Sequence, residues 1–245
     1  MLQTWKKLFV LLFLFAQIIP FQEASASLPK QAYIKGVVGH KQSYSLSCES
    51  RSAVDWAAYW GKKISEKKFL SKLPRSDNPD LGFVGSPNDP WGNIPPASYG
   101  VHAKPVADLL KQYGFETESQ NHFTWQELQV EIASGRPVIV WVIGQMWSGK
   151  PVKIKLKSGK FVTVAKNEHT MIVIGYDSKL VYVVDAYSGK TQAYYKSVFL
   201  KSWSVLGNMA ITGQPLKKGE SQNNLQGPPL SSEKGVFLPL VMASD

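Results

Sequence analysis

Residues 40–61 read HKQSYSLSCESRSAVDWAAYWG and predict the helix on which the rest of the fold is built. No proline or glycine interrupts the segment from Cys48 to Trp60, and its apolar residues recur three and four positions apart, which is the period of a helix buried along one side. These apolar residues are Ala53, Trp56, Ala57 and Trp60. Ser45 or Ser47 can cap the helix and Gly61 can end it. Cys48 is therefore expected in the first helical turn.

More helices are predicted in the first half of the chain, on either side of a long loop. A short helix is expected over 65–73, and Pro105 opens another that stops at Gly114. Thr124 and Glu127 form a capping box for a helix that ends at Gly135. Residues 74–100 are rich in proline and glycine and predict a loop without regular structure. Because such long loops in compact domains are usually functional or mobile, we expect this one to border the functional site and to gate it.

Strands dominate the second half. The apolar run at 137–143 is typical of a strand buried on both faces, and residues 152–165 alternate around Ser158-Gly159 as a hairpin does. An antiparallel meander is predicted over 169–176, 180–186 and 190–195. A short helix over 197–203 and a last strand over 208–212 follow it. Helices followed by an antiparallel sheet indicate the α+β class.

Three regions are expected along the chain. Residues 1–26 have a basic start, an apolar run and a small-residue cleavage site, so they predict a signal peptide and a secreted or cell-envelope protein. Residues 27–213 form the predicted domain. Residues 214–245 read as a polar linker and a short apolar tail, which either docks on the domain or serves export or attachment. No obligate membrane span is expected in the mature chain.

The charge of the chain is strongly basic. It holds 28 Lys and Arg against 18 Asp and Glu, a net charge of +10, and removal of residues 1–26 leaves 26 basic and 17 acidic residues. This excess serves solubility or attraction to an anionic cell-envelope surface. Nucleic acid is not an expected partner, because no recognisable binding motif accompanies the charge.

The only cysteine of an exported chain requires an explanation. Cys48 cannot form a disulfide within the chain, so it is a buried spacer, an intermolecular bridge or a reactive thiol. A helix N-terminus lowers the pKa of a thiol, so the position of Cys48 favours the last of these, with alkylation well below pH 8.5. One cysteine cannot build a structural zinc site, and no His-x3-His spacing occurs, so neither a metal nor another cofactor is expected.

A cysteine nucleophile needs a base, a group that orients the base, and donors for the oxyanion. Of His40, His102, His122 and His169, the last heads a strand of core character, where a polar ring needs a partner. Asp185 lies on the next predicted strand and can supply one. Gln42, six residues before the cysteine, can donate to an oxyanion together with the backbone N–H of Cys48. The predicted catalytic set is therefore Cys48, His169, Asp185 and Gln42.

This set makes a demand on the hairpin between His169 and Asp185. The two side chains reach each other only if they lie on the same face of the sheet. A one-residue shift of register would move every side chain of one strand to the opposite face. An unbulged two-residue loop at 177–178 would separate them. The triad therefore predicts a loop of odd length, with Asp185 opposite Met171, or one compensating bulge.

The order Gln-x5-Cys at a helix start, then His opening a strand, then Asp on the next, resembles the papain-like cysteine peptidases. The bacteriocin-leader-processing group, family 39 of the cysteine peptidases, and its free-standing exported bacterial relatives are the nearer match. The stretches that carry the resemblance are HKQSYSLSCESRSAVDWAAYWG, GFVGSPNDPWG, YGVHAKPVADLL, GRPVIVWV, EHTMIVIGYD and VYVVDAYSG. The resemblance implies a papain-like fold, a peptide or protein substrate, and Cys48 as nucleophile, His169 as base, Asp185 as orienter and Gln42 as oxyanion donor.

This sequence departs from the bacteriocin-processing members at two places. They usually have Gly after the cysteine and Asp-Pro at the third site, whereas this chain has Glu49 and Asp185-Ala186. It also lacks the exporters' membrane and ATP-binding domains, so a double-glycine leader is not the implied substrate. Glu49 would oppose thiolate formation at Cys48 and is left out of the catalytic set.

Two other functions fit parts of the sequence. Seven tryptophans after residue 26, with Trp91 in the long loop, suit a non-catalytic module that binds cell wall or glycan. The same Cys-His-Asp set suits a thiol acyltransferase or amidase, because both reactions pass through a thioester. The sequence favours an exported cysteine peptidase over these alternatives.

Overall fold

The computed structural model describes residues 27–217, so the predicted signal peptide and residues 218–245 of the tail lie outside the described part of the chain. The helices are α1 (Cys48–Tyr59), α2 (Glu66–Lys72), α3 (Ala103–Gln112), α4 (Trp125–Ala133) and α5 (Lys196–Trp203). The strands are β1 (Ala32–Tyr33), β2 (Phe115–Gln120), β3 (Val138–Ile143), β4 (Val152–Lys155), β5 (Phe161–Val164), β6 (Glu168–Tyr176), β7 (Leu180–Asp185), β8 (Thr191–Tyr195) and β9 (Ala210–Pro215).

The strands form one large antiparallel sheet and a separate hairpin. The large sheet has the order β2-β9-β3-β6-β7-β8, and β1 pairs with β6 beyond its last pair with β3. The hairpin is β4-β5, as the alternation around Ser158-Gly159 predicts. Helices packed on an antiparallel sheet confirm the predicted α+β class.

The first helix begins at Cys48, as predicted, and packs on β6 and β3 through its buried face. Trp56 donates its indole N–H to the carbonyl of Pro137, and Ser52 Oγ lies 3.0 Å from Thr170 Oγ1 on β6. The expected serine cap takes a different form: Ser47 precedes the helix, but its hydroxyl bonds to Glu66 rather than to the first turn. These contacts hold α1 against the sheet, with the Ser52–Thr170 contact near the start of β6.

The edge strand β2 was not predicted. Phe115–Gln120 pairs with β9 at the edge of the sheet, although its sequence, FETESQ, is mostly polar. Phe115 and Thr117 point inward and the glutamates point to solvent, so the alternation is that of an edge strand with a polar outer face. Its partner β9 runs to Pro215, two residues beyond the predicted domain limit at 213.

The start of the described chain is attached to the sheet. Ala32 and Tyr33 of β1 pair with Tyr176 and Gly175 of β6, and the Tyr176 hydroxyl donates to the carbonyl of Pro29 at 3.0 Å. Among residues 27–217, no helix combines the length and apolar character that crossing a membrane requires.

Candidate active site

His169 and Asp185 are joined by a hydrogen bond. His169 Nε2 lies 2.7 Å from Asp185 Oδ1, and both side chains are almost fully buried. Asp185 lies opposite Met171, which places it diagonally across the hairpin from His169, as the parity argument predicts. Near the turn Tyr176 opposes Val181, a register that differs by one residue from that of the Met171–Asp185 pair. A bulge at Ile174 accounts for the difference. The hairpin therefore uses the compensating bulge to bring the two side chains to one face.

Asp185 also organises the turn that follows it. Its Oδ2 accepts a hydrogen bond from the Ser188 hydroxyl at 2.6 Å, and Oδ1 accepts one from the Tyr187 N–H at 3.0 Å. Burial opposes ionisation of Asp185, but the hydrogen bond and charge of His169, with the bonds from Ser188 and Tyr187, lower its pKa. Sequence reasoning missed Ser188, although aspartate and serine are both common turn residues. The Asp185 carboxylate is thus held by His169 on β6 and by Tyr187 and Ser188 in the turn.

Cys48 occupies the first position of α1 but is surrounded by acids. Its side chain is buried, and Sγ donates to Glu49 Oε2 at 3.4 Å. Burial raises the pKa of the Cys48 thiol well above its usual value, and the charges of Glu49 and Glu168 raise it further, while hydrogen bonds from Thr170 oppose this. The expected lowering by the helix N-terminus is therefore wrong for this structure, because desolvation and two carboxyl groups outweigh it.

The thiol is not bonded to the imidazole in the described structure. Its hydrogen bond goes to Glu49, although it contacts Thr170, the residue that follows His169 on β6. Asp185 occupies Nε2 of the His169 ring, which leaves Nδ1 as the nitrogen that can receive the thiol proton. Hydrogen bonds between catalytic groups are often long or misaligned before substrate binds, so this geometry is compatible with the predicted roles.

Gln42 lies in the loop before α1 and lines the same cavity as His169. Its Nε2 donates to the carbonyls of Tyr44 and Ser45 at 2.7 and 3.0 Å, so both amide hydrogens are used within the loop. Its Oε1 is buried and has no donor among the described residues. An oxyanion would have to draw the amide away from these carbonyls, and the role of Gln42 stays a prediction.

Two glycines let this loop approach the turn after Asp185. The Gln42 N–H donates to the carbonyl of Ala186 at 2.8 Å. A Cβ on Gly39 would lie 2.6 Å from the Gly189 oxygen, and one on Gly189, where φ is +71°, would lie 2.6 Å from His40 C. Only glycine fits such a crossing, so the backbones that carry Gln42 and Asp185 are in direct contact.

A cavity of about 420 Å³ opens beside His169. Its walls include Trp91 from the long loop, Trp147 and Tyr187, all partly or largely exposed. The Trp91 indole N–H donates to the carbonyl of Glu168 at 2.7 Å, so the loop is attached directly beside His169. The prediction that residues 74–100 border the site is confirmed, and gating by this loop stays a prediction.

Two of the other histidines, His40 and His102, have side-chain partners away from this cavity. His40 Nδ1 lies 2.8 Å from Asp55 Oδ1, and His102 Nδ1 lies 2.6 Å from Asp80 Oδ1. A larger cavity of about 700 Å³ is lined in part by His102 and His122. Cys48 lines neither cavity, but only the cavity beside His169 is lined by members of the predicted catalytic set, His169 and Gln42.

A second cluster of ionisable groups lies at Cys48. One donor atom each from Cys48, Glu49 and Glu168 lies within 4.8 Å of the other two, a spacing that would also suit a cation. A thiol committed to a metal could not act as a nucleophile, so this arrangement would compete with the chemistry of the neighbouring imidazole.

Comparison with known proteins places this geometry in a family. The chain is 26% identical over 138 residues to the uncharacterized protein YvpB of Bacillus subtilis strain 168, a match that covers 54% of each protein. The chain thus spans about half the length of this curated relative.

A solved structure has the same fold. A Bacillus anthracis protein designated a candidate C39-like peptidase superposes with a TM-score of 0.67 at 22% identity, over 77% of this chain and 99% of that one. This likeness confirms the expected papain-like fold of the C39 peptidases. The profile of the Peptidase_C39 like family matches residues 34–211, which include Cys48, His169 and Asp185. The chain belongs to the Peptidase_C39 like family, and this membership supports a peptidase.

Proposed function

We propose that this protein is an exported cysteine peptidase that hydrolyses peptide bonds through a thioester at Cys48, with His169 as general base. The observation that carries the proposal is the 2.7 Å bond between His169 and Asp185, in the wall of a cavity next to the helix that begins at Cys48. Asp185 holds the imidazole in the tautomer whose Nδ1 can accept a proton.

The reaction begins when the Cys48 thiol leaves Glu49 and gives its proton to His169 Nδ1. The thiolate then attacks the carbonyl carbon of the scissile peptide bond. The imidazolium protonates the leaving amine, and a thioester remains on Cys48. Water activated by the same imidazole hydrolyses the thioester and regenerates the thiol. No cofactor is required.

The oxyanion needs donors close to Cys48. The first N–H groups of α1 have no acceptor within the helix, so the Cys48 N–H is available. Gln42 supplies the second donor if its amide turns from the carbonyls of Tyr44 and Ser45. The substrate is a peptide or protein in an extended segment along the cavity beside Trp91 and Trp147.

Export and location belong to the same proposal. A cleaved signal peptide at residues 1–26 would deliver the protein outside the cytoplasm, and the basic excess of the chain would favour an anionic envelope surface.

The test uses the mature chain and its Cys48→Ala variant on denatured casein and on a mixed peptide library. Hydrolysis by the first and none by the second supports the proposal. Amide transfer to an added amine without net hydrolysis would indicate the acyltransferase. Binding of glycan that is equal in both proteins, without any bond cleavage, would indicate the non-catalytic module.

A further inference from the structure

Two buried glutamates lie directly behind the candidate nucleophile. Glu49 follows Cys48 on α1, and Glu168 precedes His169 on β6; their exposures are 1% and 3%. Neither forms an ion pair with a Lys, Arg or His in the described part of the chain. Two buried carboxyl groups without a cation cannot both be ionised at low cost.

The two carboxyl groups crowd the same backbone. A Cβ on Gly100 would lie 2.2 Å from Glu49 Oε1 and 3.5 Å from Glu168 Oε2. Gly100 has φ of +119° and leaves the space that both carboxyl groups use. The pair therefore occupies a site enclosed by α1, β6 and the end of the long loop.

The hydrogen bonds of this pair are incomplete. Glu49 Oε1 accepts from the Val101 N–H at 2.6 Å, and Oε2 accepts from Cys48 Sγ at 3.4 Å. Glu168 Oε1 is buried and has no partner among the described residues. A proton bound to the pair removes one negative charge. It also supplies a hydrogen-bond donor beside the buried oxygens, of which Glu168 Oε1 has no partner within residues 27–217.

We propose that Glu49 and Glu168 share one proton near pH 8, and that the resulting singly charged pair is a positioning element for Cys48. Glu49 accepts the hydrogen bond of the Cys48 thiol and so keeps the resting nucleophile in its neutral form. The positioning role rests on the proposed function, since it concerns the nucleophile of that reaction. The shared proton does not depend on it.

The electrostatics agree with this geometry. Burial raises the pKa of Glu49 to about 7, and burial together with the charge of Glu49 raises the pKa of Glu168 well above its usual value. A charge on Glu49 therefore opposes ionisation of Glu168, and the two carboxyl groups titrate as a pair.

The described groups that face the pair from other elements include no lysine or arginine in ion-pair contact with it. Tyr99, in the long loop, has a pKa raised by burial and by Glu168, so it stays neutral, and its hydroxyl lies 3.3 Å from His102 Nε2. Thr170 offers a hydroxyl on β6, and His169 is committed to Asp185. None of these groups forms an ion pair with Glu49 or Glu168 in the described part of the chain.

The first experiment is infrared spectroscopy of the mature chain at pH 8. We expect a carbonyl band equivalent to one protonated carboxylic acid, which shifts in D2O and is lost in the Glu49→Gln/Glu168→Gln double variant. Absence of this band from the unsubstituted protein overturns the proposal. So does one equivalent of bound divalent metal in the protein as purified, released by a chelator.

The second experiment measures the pH dependence of Cys48 alkylation by iodoacetamide. In the double variant the pair carries no charge, and we expect the profile to move to lower pH by about one unit or more. An unchanged profile overturns the positioning role. In Glu168→Gln a neutral amide takes the place of the protonated carboxyl group, and the single negative charge remains on Glu49. The infrared band should therefore vanish, while the alkylation profile stays close to that of the unsubstituted protein. This variant also serves if the double variant fails to fold.

Glu66 provides the matched control. It is buried near the start of α1, but its oxygens accept hydrogen bonds from Ser43, Ser47 and Arg51. Glu66→Gln should leave both the infrared band and the alkylation profile unchanged. Neither experiment requires peptide hydrolysis, so a failed peptidase assay and a failed shared proton are distinguishable.

Discussion

Asp185 lies opposite Met171 across the β6-β7 hairpin, and from this diagonal position its Oδ1 reaches His169 Nε2 at 2.7 Å. The relationship depends on one extra residue, Ile174, in β6. Without that bulge, the register near the turn would continue along the hairpin and would place Asp185 on the opposite face from the imidazole. A local irregularity of the sheet thus creates the pair on which the proposed chemistry depends.

Asp185→Asn tests this pair. The amide cannot accept the imidazole N–H in the same way, so we expect hydrolysis of casein to fall by about 100-fold or more. Asp177→Asn is the control, because Asp177 holds the turn at the other end of the hairpin through the N–H groups of Lys179 and Leu180. Equal losses in both variants would mean that Asp185 only supports the hairpin.

Attachment of the long loop is tested by Trp91→Phe. This substitution removes the hydrogen bond to the Glu168 carbonyl, a loss of about 1 kcal/mol, so we expect faster limited proteolysis within residues 74–100 and a higher KM. Trp147→Phe, in the same cavity wall, keeps that attachment and should leave the proteolysis rate unchanged. Identical cleavage rates in both variants would rule out Trp91 as the anchor.

The crossing between the Gln42 loop and the turn after Asp185 is tested with two alanines. Gly189→Ala and Gly36→Ala both place alanine at positive φ, at +71° and +88°, but only the first meets backbone atoms. We expect Gly36→Ala to cost about 1–2 kcal/mol of unfolding free energy from its conformation. Gly189→Ala should cost about 1–3 kcal/mol more from the clash. Similar values in urea denaturation would show that the crossing is not tight.

The stability of the protein should depend on pH through Glu49. Its pKa is about 7 in the folded protein and near its ordinary 4.5 when unfolded, so its protonation stabilises the fold fully below pH 4.5. That contribution, on the order of 3 kcal/mol, is lost as the pH rises through about 7. We expect a lower Tm at pH 8 than at pH 5, and a smaller difference in Glu49→Gln. Asp185, with its lowered pKa, adds a loss of stability only at acid pH.

Glu66→Gln is the control for this pH dependence. It can move both Tm values, but it should leave the difference between pH 5 and pH 8 as it is. A difference that is the same in the unsubstituted protein and in Glu49→Gln would contradict the assignment to Glu49.

Local patterns in the sequence were enough to predict the elements that carry the site. The helix from Cys48, the buried strand β3 and the β6-β7 hairpin each have a clear period or turn signal within a few residues. The polar strand β2 was missed because its partner β9 lies nearly a hundred residues away and only its inward residues, Phe115 and Thr117, identify it. Edge strands of this kind depend on pairing rather than on composition.

The environment of Cys48 could not be predicted for a similar reason. Its position at a helix start was correct, but the sign of its pKa shift was not. Glu168 reaches the thiol through the packing of α1 on β6, and no local pattern shows that contact. The four residues of the predicted catalytic set lie around one region of the fold, whereas the bonds that Cys48 and Gln42 form there are set by tertiary structure.

The bond between Tyr176 and the carbonyl of Pro29 has a consequence for the maturation of the protein. If the signal peptide is cut after residue 26, the third residue of the new chain is already fastened to the sheet. A processing enzyme must hold several residues in extended form on both sides of the bond that it cuts, and a finished domain would obstruct it. Cleavage should therefore precede the pairing of β1 with β6.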